Sequence, residues 1–90
     1  PASGYAIVGI AVRAGKDFVR VGVTGVSNKA YRAGNVESIY INVRDAAKAA
    51  AVVADGIEAN SDIHASAEYR KHLARIYTRR ALTEAASRMK

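Results

Sequence analysis

The stretch that decides the fold is residues 61–82, SDIHASAEYRKHLARIYTRRAL, because it joins a helix start to a long cationic helix. A polar turn, Asn60-Ser61-Asp62, precedes it, so we expect the helix to begin near Ala65 or Ser66. No proline or glycine follows to interrupt it, so the pattern predicts a helix that runs to the C-terminus. The residues predicted to form its buried stripe recur at helical spacing: Tyr69, Leu73, Ile76 and Tyr77.

Arg80 lies in the middle of this stripe, about 20° from Tyr69 on a helical projection. A desolvated guanidinium needs a partner, so Arg80 either pairs with an acidic group such as Asp62 or docks onto a neighbouring domain. Alternatively its stem lies along the stripe while its head reaches water. Tyr69 could stack on a flavin or a base, but core packing is the usual role of such aromatics. The candidates for an interface or a structural ion pair are Asp62, Tyr69, Arg70 and Arg80.

The first part of the chain predicts a β-hairpin. Residues 5–12, YAIVGIAV, are apolar at nearly every position, which is typical of a strand covered on both faces. After a loop at 14–17, residues 18–24 alternate with the period of a half-buried strand. A brief third strand is expected near Tyr31. The apolar first strand requires something to cover its second face.

Residues 33–44 leave two alternatives open. Asn35 could cap a short helix, yet Ile39, Ile41 and Val43 also alternate as in a strand. Asp45 is a good N-cap for an alanine-rich helix over 46–54, which Gly56 would end. The predicted fold class is therefore α+β: one domain, residues 1–90, with a small antiparallel sheet packed against two or three helices, the last of them long.

Composition excludes several classes of protein. The 90 residues contain no apolar run long enough for a membrane span and no cysteine for disulfides or thiolate-bound metal, so we expect a cytoplasmic protein. The net charge is +6, and residues 64–90 carry most of the excess. Because the chain opens on Pro1 and holds its single methionine at position 89, we interpret it as a piece of a longer polypeptide.

No catalytic or metal site is predicted. The two histidines, His64 and His72, stand two helical turns apart without a carboxylate cluster around them, which is too far for one metal ion. Gly22 and Gly25 follow a strand but lack the spacing of a phosphate-binding loop, so a sharp turn or close packing is the better interpretation. The hydroxyl residues have no base at motif spacing.

Four features together resemble the C-terminal domain of the flavin-binding medium subunit of the molybdenum hydroxylases, the group that contains carbon monoxide dehydrogenase, xanthine dehydrogenase and aldehyde oxidoreductases. They are YAIVGIAVR, VRVGVTGV, the pair Arg32-Ala33 with Glu37 after it, and the long segment at 61–82. The resemblance implies a helix at about 33–40. It also implies a domain that buttresses two upstream FAD-binding domains, absent from this chain, and contacts a molybdenum-binding large subunit and an iron–sulfur small subunit.

The resemblance further implies that the whole enzyme passes electrons through iron–sulfur clusters to FAD and then to an external acceptor. FAD would be held by the upstream domains, so we expect no tight binding by this chain alone. The alternative is a small interaction module whose basic helix binds an acidic protein surface or nucleic acid. Against nucleic acid, the cations wrap around the helix and no aromatic residues interleave them for base stacking.

Overall fold

The computed structural model describes residues 7–61 and 65–88, and the fold is α+β as predicted. Three strands form one antiparallel sheet in the order β1-β2-β3. The elements follow one another as β1 (Gly9–Ala14), β2 (Val19–Thr24), β3 (Tyr31–Arg32), α1 (Gly34–Val43), α2 (Ala46–Ala50) and α3 (Ala67–Arg88). None of the described helices combines the length and the apolarity that a membrane span requires.

The hairpin and the third strand form as predicted, but β1 is Gly9–Ala14 and not 5–12: among the described residues, 7 and 8 precede the strand, and Ala14, expected in the loop, ends it. In the register of β1 and β2, Ile10 faces Val23, Val12 faces Val21 and Ala14 faces Val19. These pairs share the face that packs on the helices, and the three β2 valines are almost completely buried. The alternate residues point to the other face, which none of the described elements covers. The apolar first strand is therefore buried on one side only within the described chain.

Residues 34–43 form a helix, so the strand alternative is wrong. Val36 and Tyr40 bury one side of α1, whereas Val43, which the strand pattern required to face inward, is 52% exposed. Asn35 does not serve as the N-cap, because that position is Ala33. Its side chain instead donates a hydrogen bond of 2.7 Å to the Val52 carbonyl and ties the start of α1 to the end of the alanine-rich segment.

Asp45 caps α2 as predicted, because its carboxylate accepts a hydrogen bond from the Lys48 N–H at 3.0 Å. Regular helix ends at Ala50, earlier than the predicted 54. Beyond it the chain continues in tight turns, with hydrogen bonds that span three residues, up to Ile57. Gly56 has a φ of 76°, the left-handed conformation expected of a glycine that ends a helical segment.

The last helix begins at Ala67, and Ser66 precedes it as a cap, with its hydroxyl accepting a hydrogen bond from the Tyr69 N–H at 3.1 Å. The predicted buried stripe of this helix is confirmed only in part: Leu73 and Tyr77 are partly buried against the core, whereas Tyr69 is 48% exposed. The residues of α3 that the fold buries are Arg70, Ala74, Thr78 and Leu82. This face is rotated by roughly 130° from the stripe centred on Tyr69, Leu73, Ile76 and Tyr77.

Candidate functional site

A buried carboxylate joins the sheet to α1. Glu37 is 7% exposed, and its Oε2 accepts a hydrogen bond of 2.8 Å from the backbone N–H of Val21. Strand β3 ends at Arg32, and the next residue, Ala33, still donates to the Val21 carbonyl. Glu37 therefore continues the sheet's hydrogen bonding at the point where the third strand turns into a helix.

Arg32 supplies the countercharge to this carboxylate. Its Nε lies 2.9 Å from both Glu37 oxygens, and its Nη2 lies 2.7 Å from Oε1. Hydrogen bonds from Arg32, together with the Val21 N–H and the charges of Arg32 and Arg20, lower the pKa of Glu37 although burial opposes the shift. The same bonds raise the pKa of Arg32. This junction holds β2, β3 and α1 together.

The arginine–glutamate junction gives a structural role to Arg32 and Glu37, two of the residues on which the sequence resemblance rests. Sequence reasoning used these residues for the resemblance and did not place them among the site candidates. The available signal was a pair of opposite charges five residues apart, on either side of a predicted change from strand to helix. Such a pair can meet when the chain turns between the two residues.

Arg70 joins the last helix to the end of the hairpin. It is 8% exposed, and its Nη1 donates a hydrogen bond of 2.8 Å to the carbonyl of Gly25. Gly25 has a φ of 85°, and a Cβ placed on it would lie 1.9 Å from the carbonyl oxygen of Ile7. The sharp turn and close packing predicted for the sequence GVTGV therefore occur at Gly25.

The same turn provides no cradle for a flavin pyrophosphate. The backbone of Ile7 occupies the space beside Gly25, and the carbonyl, an acceptor, points to Arg70. Phosphate loops instead present open backbone N–H groups to their ligand. The described residues of this turn therefore do not fit the role of holding FAD, and no chemical step is assigned to FAD within this chain.

The structure places the remaining site candidates apart from the core. Tyr69 is 48% exposed, and Arg80 is exposed, so the expectation that both belong to a buried stripe is wrong. The face that packs inward carries Ala74 and Thr78 between Arg70 and Leu82, and these two small side chains let α3 approach its neighbours closely. Asp62, the predicted partner of Arg80, lies outside the described residues, and so does His64. The docking role of Tyr69 and Arg80 stays a prediction.

Two open surfaces flank this framework. Between α2 and α3 runs a groove of about 280 Å³, with Ala47 and Ala51 on one side and Arg75, Ile76 and Arg79 on the other. The uncovered side of the sheet forms a second surface, where Gly9, Ala11 and Gly22 contribute little or no side chain. Among the described residues, no group of three potential metal ligands comes together.

Comparison with known proteins identifies the family. The chain matches the CO dehydrogenase flavoprotein C-terminal domain over residues 2–85, and it belongs to that family. It also resembles the crystal structure of quinoline 2-oxidoreductase from Pseudomonas putida 86, with a TM-score of 0.71 and 28% sequence identity. That match covers 89% of this chain and 30% of the other. No curated protein matches.

The family membership confirms the resemblance seen in the sequence. The chain is a domain of the FAD-binding subunit of the molybdenum hydroxylase family. Because it spans only 30% of the quinoline 2-oxidoreductase chain that it matches, the activity of a whole enzyme is a separate question.

Proposed function

We propose that this chain is the structural and interface domain at the C-terminal end of the flavin subunit of a cytoplasmic molybdenum-containing hydroxylase or dehydrogenase. In that enzyme a substrate is oxidised in a large subunit that binds molybdenum. Electrons pass through iron–sulfur clusters in a small subunit to FAD and then to an external acceptor. The single observation that supports this proposal most is the family match over residues 2–85.

The uncovered face of the sheet is the surface on which we expect an upstream domain of the same subunit to pack. Gly9, Ala11 and Gly22 leave a depression of about 480 Å³ with mainly apolar walls. A sheet face of this kind is normally covered by another layer of structure. The chain enters the described fold at Ile7, directly before β1. An upstream domain of the same subunit, connected at that point, would complete the sandwich around the sheet.

The described fold provides a rigid support for such a neighbour. The junction of Arg32 and Glu37 fixes β2 against α1, and the Arg70 contact fixes α3 against the turn at Gly25. Both contacts lie within the domain and leave the sheet face open. In the proposed enzyme this domain therefore positions the FAD-binding domains without contacting the reacting atoms.

The size of the natural polypeptide tests this function. An antibody raised against this chain should detect, in an extract of the source cells, a band several times larger than 9.5 kDa that co-migrates with flavin fluorescence. A band at 9.5 kDa without flavin would contradict the proposal. In parallel, FAD titrated into the 90-residue chain should show no stoichiometric binding at micromolar concentration.

A further inference from the structure

Three arginines of α3 line the groove with α2 and the hollow that continues from it. We call this surface the arginine groove and define it by Ala47, Ala51, Arg75, Ile76, Arg79 and Arg80. The part between the helices has a volume of about 280 Å³, and a second hollow continues along α3, lined by Ile76, Arg79, Arg80, Thr83, Glu84 and Ser87. On a helical projection Ile76, Arg79 and Arg80 point away from Arg70, Ala74 and Thr78, whereas Arg75 lies at the edge of the buried face.

Within the part of the chain that the structure describes, the arginines of this groove have no acidic partner. Arg75, Arg79 and Arg80 form no salt bridge with any residue in the ranges 7–61 and 65–88. Arg75 and Arg79 stand four residues apart on one helix, a spacing at which like charges repel. The nearest acid along the helix, Glu84, is already paired with Arg88. Carboxylates from another polypeptide would relieve the weak repulsion between these like charges.

The groove also offers apolar contact. Ala47 and Ala51 are exposed on α2, and their small side chains allow another backbone to come close. Ile76 is only half-buried, and it lines both the groove and the hollow that continues from it. An occupant that suits this surface has carboxylates for the arginines and an apolar side chain for Ile76. That description fits an acidic amphipathic segment of a protein.

The position of the groove indicates which polypeptide supplies the segment. The helices pack on one face of the sheet, whereas the open face lies on the other side. An upstream domain that covers the open face leaves the outward side of α3 free. We propose that the arginine groove binds an acidic segment of a different subunit, an inference that rests on the proposed function.

Photo-cross-linking in the assembled enzyme tests which polypeptide lies in the groove. Benzoylphenylalanine replaces Thr83, an exposed residue of the hollow that continues from the groove along α3, in the full-length flavin subunit purified with its partner subunits. We expect the cross-linked peptide to come from a second subunit and to be rich in Asp and Glu. The same reagent at Ala11, on the open sheet face, should cross-link within the flavin subunit. A Thr83 adduct within the same subunit, or no adduct, would overturn the proposal.

Charge reversal measures the contribution of the arginines. The double variant Arg79→Glu with Arg80→Glu should weaken subunit association by roughly tenfold or more, with a loss that diminishes at high salt. Lys16→Glu with Lys29→Glu changes the net charge equally on exposed loop residues and should leave association unchanged. Bound flavin, measured in both, shows that the subunit has folded. Equal association of the two double variants would reject the groove as an interface.

The same preparation separates failure of this inference from failure of the proposed function. If the unmodified natural protein carries flavin and binds partner subunits, but the arginine variant does so equally well, only the inference about the groove fails. If the unmodified protein carries no flavin and has no partner subunit, the proposed function fails first and the inference fails with it.

Discussion

Glu37 is the residue whose charge matters most for the stability of this domain. It is buried, and it accepts hydrogen bonds from the Val21 N–H and from Arg32. Glu37→Gln keeps the shape of the side chain but removes the charge, so we expect a loss of roughly 1–3 kcal/mol in the free energy of unfolding. Urea denaturation of the 90-residue chain measures the loss.

Glu84→Gln is the matched control, because it removes a glutamate from the exposed pair with Arg88. Surface pairs of this kind contribute little, so the control should change stability by less than about 0.5 kcal/mol. Equal losses in the two variants would show that the junction of Arg32 and Glu37 does not stabilise the fold.

The pH dependence of stability follows from the same carboxylate. Hydrogen bonds from Arg32 hold the pKa of Glu37 below its ordinary value of 4.5. A group whose pKa is lowered by folding stabilises the folded state above its unfolded pKa, and this contribution is lost as the pH falls through the folded pKa. As the pH falls below about 5, the free energy of unfolding of the unmodified chain should therefore decrease more steeply than that of Glu37→Gln. Identical slopes in denaturation series would contradict this expectation.

Gly25 is a residue that no other amino acid can replace without strain. Its φ is 85°, and a Cβ would meet the Ile7 carbonyl oxygen at 1.9 Å. Gly25→Ala should therefore cost roughly 3 kcal/mol or more, since both strain and a backbone clash contribute. Gly56→Ala has the same unfavourable φ but no atom within 4 Å, so it should cost only about 1–2 kcal/mol. Thermal unfolding of the two variants separates the clash from the strain.

At the scale of elements, α3 shows how far a hydrophobic pattern predicts a buried face. The sequence predicted this helix and placed its start to within two residues. Both predictions rest on local features, the cap and the uninterrupted run of helix formers. Its orientation was not predicted correctly, because Ala74 and Thr78 face the core and Tyr69 does not. Small side chains permit close packing between layers. Which face of α3 is buried therefore depends on the elements that pack against it, and these lie elsewhere in the sequence.

The segment 33–44 illustrates the same limit for α1. Its apolar residues satisfy both a strand period and a helix period, so pattern alone left the choice open. What decides it is Glu37, which reaches Val21 from a helix that follows β3 directly. The junction of Arg32 and Glu37 is a contact between elements, and only its opposite charges were visible in the sequence.

Thr78 places a polar side chain on the buried face of α3, and its effect on stability can be measured. It is completely buried, and its hydroxyl finds no hydrogen-bond partner among the described residues. Thr78→Val keeps the branched shape and removes the unpaired oxygen, so we expect a gain of roughly 1 kcal/mol in the free energy of unfolding. Thr83→Val is the control, since that exposed hydroxyl bonds the Arg79 carbonyl at 2.8 Å. If both variants behave alike, the buried hydroxyl costs nothing.

At the scale of the whole molecule, the fold is an incomplete sandwich with one layer of helices and one open sheet face. The strongly apolar first strand predicted a cover on both sides, and the described chain supplies one. Gly22 lies in the middle of the open face, where a Cβ would meet only the Ala11 carbonyl oxygen, at 4.0 Å. A side chain added there projects into space that the 90-residue chain leaves empty.

Gly22→Val therefore distinguishes a face that is exposed in the natural protein from one that is covered. In the 90-residue chain, valine suits a strand better than glycine, so stability should rise by roughly 0.5–1 kcal/mol. In the full-length flavin subunit, the same side chain should collide with the covering domain and lower both the melting temperature and the retained FAD. Gly34→Ala, at an open position in α1, should leave the full-length subunit unaffected. A gain in both the short and the long chain would mean that the sheet face stays open.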